Sequence, residues 1–208
     1  MSLMHSVPEV VRSALISQYH PRGPAPMDPC VVDEILNHEE NNHCLVHPCL
    51  GLERVERPRG KFILWDFKLS LREMENIGMD LENLAATLGD TLAFFNFKCG
   101  RAAILARFAF GVSPVNSEAP NGPLAICLYF FDFAYADEVE DRKRNQDMDY
   151  MVKSMSNYIP NCRETPHLWA IFKTAYIKRG NECRPASIEI TPEEVVEDYE
   201  QHIAGKYS

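Results

Sequence analysis

Apolar positions recur at helical spacing most regularly after Asp80, where Leu81, Leu84, Ala85, Leu88, Leu92 and Phe95 fall at i, i+3, i+4, i+7, i+11 and i+14. This spacing predicts an amphipathic helix with one face on a core. Asp80 opens it, and Gly89 allows a close neighbour at some cost in helix stability. Val7, Val11 and Leu15 recur at i, i+4 and i+8 behind Ser6-Val-Pro-Glu9, which has the spacing of a capping box, so an N-terminal helix is expected within 1–20, ending near Tyr19. Two C-terminal helices are signalled by Thr165-Pro166 and Thr191-Pro192, each a capping residue before a proline at the first helical position; Thr191-Pro-Glu-Glu194 is again a capping box. The first is expected to bury Leu168, Trp169, Phe172 and Tyr176 and to stop at Gly180, the second to bury Val195, Val196, Tyr199 and Ile203.

Shorter apolar runs read as strands. Cys44 to Leu50 and Phe62 to Phe67 are bounded by turn residues with Arg57-Pro-Arg-Gly60 between them, and a hairpin is the simplest connection. Ser70 is placed to cap a short helix. Ala102 to Phe110 is apolar apart from Arg107 and fits a strand or a helix extension equally; Gly111 to Pro123, with Pro114, Pro120 and Pro123, reads as a loop, and Leu124 to Phe133 as a buried strand. Residues 21–43 carry Pro21, Pro24, Pro26 and Pro29 and the polar run His38-Glu-Glu-Asn-Asn42, and read as an exposed loop, a candidate flap or linker. No repeat or low-complexity segment is visible. The expectation is an α+β fold, a small sheet with several helices, in one domain over 1–208: N-terminal helix 1–20, exposed loop 21–43, core 44–180 and C-terminal helix 181–208.

Composition narrows the function classes. The chain has 208 residues, which suits one compact domain, and its formal charge is 21 − 30 = −9, so the basic footprint of a nucleic-acid binder is missing. No apolar run approaches the roughly 18–20 residues of a membrane span, and the first 19 residues hold no continuous apolar stretch of a secretion signal, so a cytoplasmic location and no membrane partner are expected. The seven cysteines are scattered, odd in number and without a C-x-x-C pair, and read as reduced residues, with Cys127 in an apolar run.

Candidate chemistry gathers in three places. Asp132 sits between Phe131 and Phe133 at the end of an apolar run; buried without a cation, such a carboxyl would act as an acid or base near neutral pH. Tyr135 is placed to supply a phenol beside it, whereas Asp137, Glu138, Glu140 and Asp141 are bunched like a solvated turn rather than spaced like a calcium loop. Arg107 inside an apolar segment needs a carboxylate, and Asp132 is a candidate; that pairing would weaken the acid-base role. His38, His43, Cys44, His47 and Cys49 are dense enough to raise zinc, but their spacing fits neither a zinc finger nor H-E-x-x-H; along a strand His43, His47 and Cys49 would share a face with Cys44 on the other. No metal and no cofactor is expected.

Several segments, read in order, resemble a fungal family of unknown function, domain of unknown function number three thousand six hundred and sixty-nine. They are Val7-Pro-Glu-Val-Val-Arg-Ser-Ala-Leu-Ile-Ser-Gln-Tyr19, Cys44-Leu-Val46 with Leu50-Gly51, Phe67-Lys-Leu-Ser-Leu71 with Met74, the Leu81 to Leu92 helix, Tyr129-Phe-Phe-Asp-Phe133 and Leu168-Trp-Ala-Ile-Phe172. That family in turn resembles the C-terminal lobe of protein kinases and aminoglycoside phosphotransferases, which implies a truncated kinase-like lobe with Asp132 where a metal-binding Asp-Phe would sit. Where the family has a histidine and two acidic positions, this chain has Asn96, Ala102 and Leu105, so the resemblance implies lost phosphoryl transfer. Within the same analogy Asn96, Phe97, Lys98 and Arg101 form a pocket floor, with Arg107 and Phe108 close to it, relined from phosphate handling to apolar ligand binding.

Two functions are expected from this. The first is an apolar small-molecule binder that catalyses an isomerisation or ring closure without a cofactor, of the kind used in fungal secondary metabolism, with Asp132 moving or orienting a proton and Asn96 donating to a carbonyl. The second is a pseudoenzyme serving as an interaction or dimerisation module, a second copy covering an exposed apolar surface. A pocket closed by the protein's own side chains favours the second.

Overall fold

The computed structural model describes residues 5–21, 27–57, 62–103, 106–114, 124–132 and 156–206. Its class is α+β, as expected, with six α-helices and a four-stranded mixed sheet among the described residues. The chain divides into two compact units, one of Met1–Pro48, Arg54–Leu69 and Phe108–Tyr129, the other of Cys49–Glu53, Ser70–Arg107 and Phe130–Ser208.

The first unit begins with α1 (Glu9–Tyr19), which buries Leu15 and Ile16. The Ser6–Glu9 capping box is not made: Pro8 stands at the cap, and the Ser6 hydroxyl donates instead to Asn42 O at 3.1 Å. Residues 21–43 are not simply an exposed loop. Asp28 accepts from the Cys30 amide at 2.9 Å and Pro29 takes the first helical position, so α2 (Pro29–Leu36) forms where the proline count alone reads as a breaker. A 3₁₀ turn (Glu39–Asn41) follows and ends in Asn41, which is 1% exposed. Its amide donates to Ile35 O at 2.7 Å, its side-chain oxygen accepts from the Leu64 N–H at 2.7 Å, and Arg12 donates to its carbonyl at 3.1 Å. A polar residue in a polar run is thus an internal tie between three segments, because a buried amide persists only where its hydrogen bonds are met.

Strands β1 (Val46–Cys49), β2 (Phe67–Ser70), β3 (Arg107–Pro114) and β4 (Leu124–Phe131) lie in the order β2-β1-β3-β4. The expected hairpin is absent: Phe67 N–H donates to Leu45 O and Leu71 N–H to Leu52 O, in ascending order on both segments, the parallel sense. Strand pairing also begins later than expected. Phe62 and Leu64 are buried and Ile63 and Trp65 exposed, a strand-like alternation, but the Leu64 amide goes to Asn41 and Asp66, at φ 49°, turns the chain before β2. Strand β1 pairs antiparallel with β3, Val46 opposite Phe110, so Pro48 lies opposite Phe108. Pro48 has no N–H to offer the ladder, and the His47 ring supplies one, Nδ1 lying 2.8 Å from Phe108 O. The ambiguous Ala102 to Phe110 segment resolves as a strand from Arg107, which runs on through Pro114 into the stretch read as loop. Strand β4, expected to be buried, is at the sheet edge: its described side chains are half-buried and Ile126 is 61% exposed. Cys127 is half-buried accordingly.

The second unit is helical. The Ser70 amide and hydroxyl both donate to Glu73 at the start of α3 (Leu71–Asn76), and Asp80 accepts from the Asn83 amide at 3.0 Å at the start of α4 (Leu81–Ala93). Helix α4 packs along α5 (Pro166–Cys183), and a Cβ on Gly89 would come within 2.5 Å of Phe172 O, which is why a glycine is tolerated in mid-helix. Helix α5 continues past the expected stop at Gly180 to Cys183, since Gly180 is a buried position against Pro192 rather than a terminator. Thr191 and Glu194 make the expected capping box of α6 (Pro192–Lys206), and Val195, Val196, Tyr199 and Ile203 are buried. Trp169 stacks between Phe172 at 5.5 Å and Tyr199 at 4.8 Å. No helix among the described residues is long and apolar enough to cross a membrane.

Candidate functional site

Asn96 and Phe97 lie in a single π-helical turn, Phe94–Lys98, that continues α4. The turn is closed by Cys99 N–H donating to Phe94 O at 3.2 Å. Both residues are buried, because they extend the Leu92 and Ala93 face of the helix by one turn. Asn96 donates to the Tyr176 hydroxyl at 2.8 Å, and the Phe97 ring meets the Tyr176 ring edge-on at 6.0 Å. Burial pushes the Tyr176 phenol well above its ordinary range, so the group facing Asn96 is a neutral hydroxyl. Lys98 is exposed and Arg101 half-exposed.

Asp132 ends β4 at φ 68°, a left-handed conformation that costs a non-glycine residue of the order of 1 kcal/mol. Its side chain is 37% exposed, and Arg107 Nε lies 3.5 Å from its Oδ2. The carboxyl is therefore neither fully buried nor without a neighbouring cation. The carboxylate expected for Arg107 is the one the sequence named. Phe95, on the turn that carries Asn96, meets Phe130 edge-on at 5.1 Å. Phe108 is 1% exposed and belongs to the first unit, where its carbonyl faces His47. Tyr135, the acidic run Asp137 to Asp141, and Leu105 lie outside the described residues.

Among the described residues, one small cavity adjoins Tyr176. The cavity lined by Leu92, Trp169, Phe172, Tyr176, Val195 and Tyr199 holds about 20 Å³ and is entirely apolar. That is little more than the space of one water, against roughly 300–1,000 Å³ for a drug-sized site. A surface cleft of about 610 Å³ lies between the start of α4 and the start of α5, with Glu75, Asp80, Glu82, Glu164 and His167 on its walls, and none of the expected site residues lines it.

The His/Cys cluster does other work. His47 is 3% exposed, with Nδ1 at Phe108 O and Nε2 3.2 Å from Asp66 Oδ1, so both ring nitrogens have protein partners. His43 is exposed while Cys44 and Cys49 are buried. Among the described residues no three His, Cys, Asp or Glu side chains are grouped to hold a metal. Burial pushes the Cys44 thiol up to about 12 against a partial offset from Arg12, and burial also raises Cys162 and Cys183; a nucleophilic cysteine needs the opposite shift.

Sequence reasoning picked out Asn96, Arg107 and Asp132 but not Tyr176 as the partner of Asn96, nor Asp66 as the partner of His47. The one available signal was general: a tyrosine or histidine at a core position needs a polar partner. Comparison of the chain with protein-family models, with curated proteins and with solved structures finds no match in any of the three.

Proposed function

We propose that this protein is a docking module rather than a catalyst. One observation carries the reading: Tyr176 lies in front of Asn96 and accepts an amide hydrogen from it, so the donor expected to meet a ligand carbonyl is engaged by the protein itself. In this reading the chain is a degenerate relative of the fungal family it resembles, with a kinase-like lobe whose phosphate-handling positions became Asn96, Ala102 and Leu105. All seven cysteines are free thiols, which supports a reducing compartment and hence the cytosol.

The second reading, a cofactor-independent isomerase or cyclase, is favoured by the left-handed backbone of Asp132, since strained residues concentrate at working sites. Native mass spectrometry of the purified protein separates the two. The expected spectrum shows the bare chain or its multiples, and light scattering across concentration then tells a second copy from a different partner. A stoichiometric apolar compound retained by the wild type and lost in Asp132→Asn would overturn the docking reading in favour of catalysis.

A further inference from the structure

The first unit contains a second polar-aromatic constellation, outside the region already described. Tyr19 at the end of α1 and Phe67 at the start of β2 hold their rings 5.9 Å apart at 38°, and Phe62 extends the wall at 6.1 Å from Phe67. The Arg57 guanidinium lies over Phe67 at 4.0 Å and over Tyr19 at 5.2 Å, and it donates to the Lys68 carbonyl at 3.1 Å. Two ring faces and one carbonyl acceptor form a seat with a defined chemical preference. The ring quadrupoles attract a cation, the Phe67 face, with a guanidinium stacked on it at 4.0 Å, suits a flat one, and the carbonyl requires one that donates hydrogen bonds. A guanidinium meets all three conditions, and a quaternary ammonium fails the last. Phe67 is 2% exposed with Arg57 in place, although Arg57 itself is half-exposed and belongs to a stretch without helix or strand. The group covering the seat is therefore held by a side chain on irregular backbone.

We propose that the Tyr19–Phe67 seat is a docking point for an arginine side chain of a partner protein, and that Arg57 is its internal plug. This rests on the docking reading and names the partner's chemistry. The formal charge of −9 draws a basic partner toward the chain, and the seat then selects arginine over lysine by its planar, hydrogen-bonding shape. An arriving arginine exchanges one guanidinium for another, so the aromatic faces are covered both before and after the exchange.

The test is a calorimetric titration of the full chain with a short blocked peptide carrying one arginine, against the same peptide with citrulline or trimethyl-lysine in its place. Arg57→Ala is expected to bind the arginine peptide at least tenfold more tightly than the wild type, with neither control peptide bound, and Tyr19→Leu added to Arg57→Ala is expected to remove the gain. Should Arg57→Ala not fold by circular dichroism, Arg57→Lys, a weaker plug, is expected to raise affinity severalfold in the same titration. A folded Arg57→Ala that binds no better than wild type, an Arg57→Lys without gain, or equal binding of the citrulline peptide would overturn the proposal and leave Arg57 as a strut between α1 and β2. None of these outcomes touches the docking reading, which falls instead on a retained compound dependent on Asp132.

Discussion

Tyr176 and Asn96 face each other across 80 residues of chain, both buried, at 2.8 Å. Tyr176→Phe keeps the ring and its packing but removes the acceptor from the Asn96 amide, and the expected loss is about 1–2 kcal/mol of stability, read as a lower urea midpoint with unchanged slope. Asp132→Asn should cost less than about 1 kcal/mol, because both members of its pair with Arg107 are more than a third exposed. Cys44 offers a pH test. The folded state holds the thiol proton up to about 12 whereas the ordinary value is 9.0, so the unfolded state releases it first; the contribution is complete below pH 9.0 and is lost as pH rises toward 12. The alkaline fall of the urea midpoint should be shallower in Cys44→Ala than in the wild type, with Tyr176 adding a fall of the same sign in both. Alkylation of the native protein should strike the exposed Cys30 and Cys99 before the buried Cys44. At this scale the sequence named Arg107 and Asp132 from residue type and local pattern, and Asn96 only through the family resemblance. It did not supply the partner of Asn96, because a contact that distant leaves no local trace.

Helix starts were legible at Asp80, Ser70 and Thr191, where the capping side chain acts on its own first turn, but not at Asp28, which caps α2 in the same way within a proline-rich stretch. Asp80, Ser70 with Glu73, and Thr191 with Glu194 all make the expected bonds, since each involves groups three residues apart. Ser6 fails because the helix starts later, with Pro8 at the cap, and Thr165 stands at the cap of α5 without bonding its first turn, its hydroxyl donating to Asn161 O. Two destabilising substitutions follow. Thr191→Ala should cost about 1 kcal/mol through the lost cap, measured by thermal or urea unfolding. In an exposed helix Gly→Ala would stabilise by about 1 kcal/mol, but Gly89→Ala sets a methyl against the Phe172 carbonyl, and a net destabilisation of about 1–3 kcal/mol is expected. A raised urea midpoint in that variant would show that α4 and α5 do not pack as described. Strand placement was less legible than helix placement. Phe62 to Leu64 alternates like a strand, yet Asn41 takes the amide that a neighbouring strand would have used.

At the scale of the whole molecule, the charge of −9 predicts that a heparin column at low salt does not retain the protein and that an anion exchanger at neutral pH does. Retention on heparin would point to a basic face that net charge conceals. What the amino-acid sequence offered unaided was the α+β class, the helices with a continuous apolar stripe, the caps at Asp80, Ser70 and Thr191, and the need of Arg107 for a carboxylate, with Asp132 as a candidate. All of these depend on periodicity, on hydrogen bonds between groups three residues apart, or on the elementary rule that charge near an apolar segment needs an opposite charge. Tertiary structure alone decided that residues 27–43 form a helix and a buried asparagine tie, that β1 and β2 run parallel, that β4 takes the sheet edge, and that Tyr176 fills the space in front of Asn96. The physical reason is shared by all four. Hydrophobic spacing says which face of an element must be covered, whereas the choice of what covers it depends on the shapes and hydrogen-bonding groups that distant segments bring to the same place.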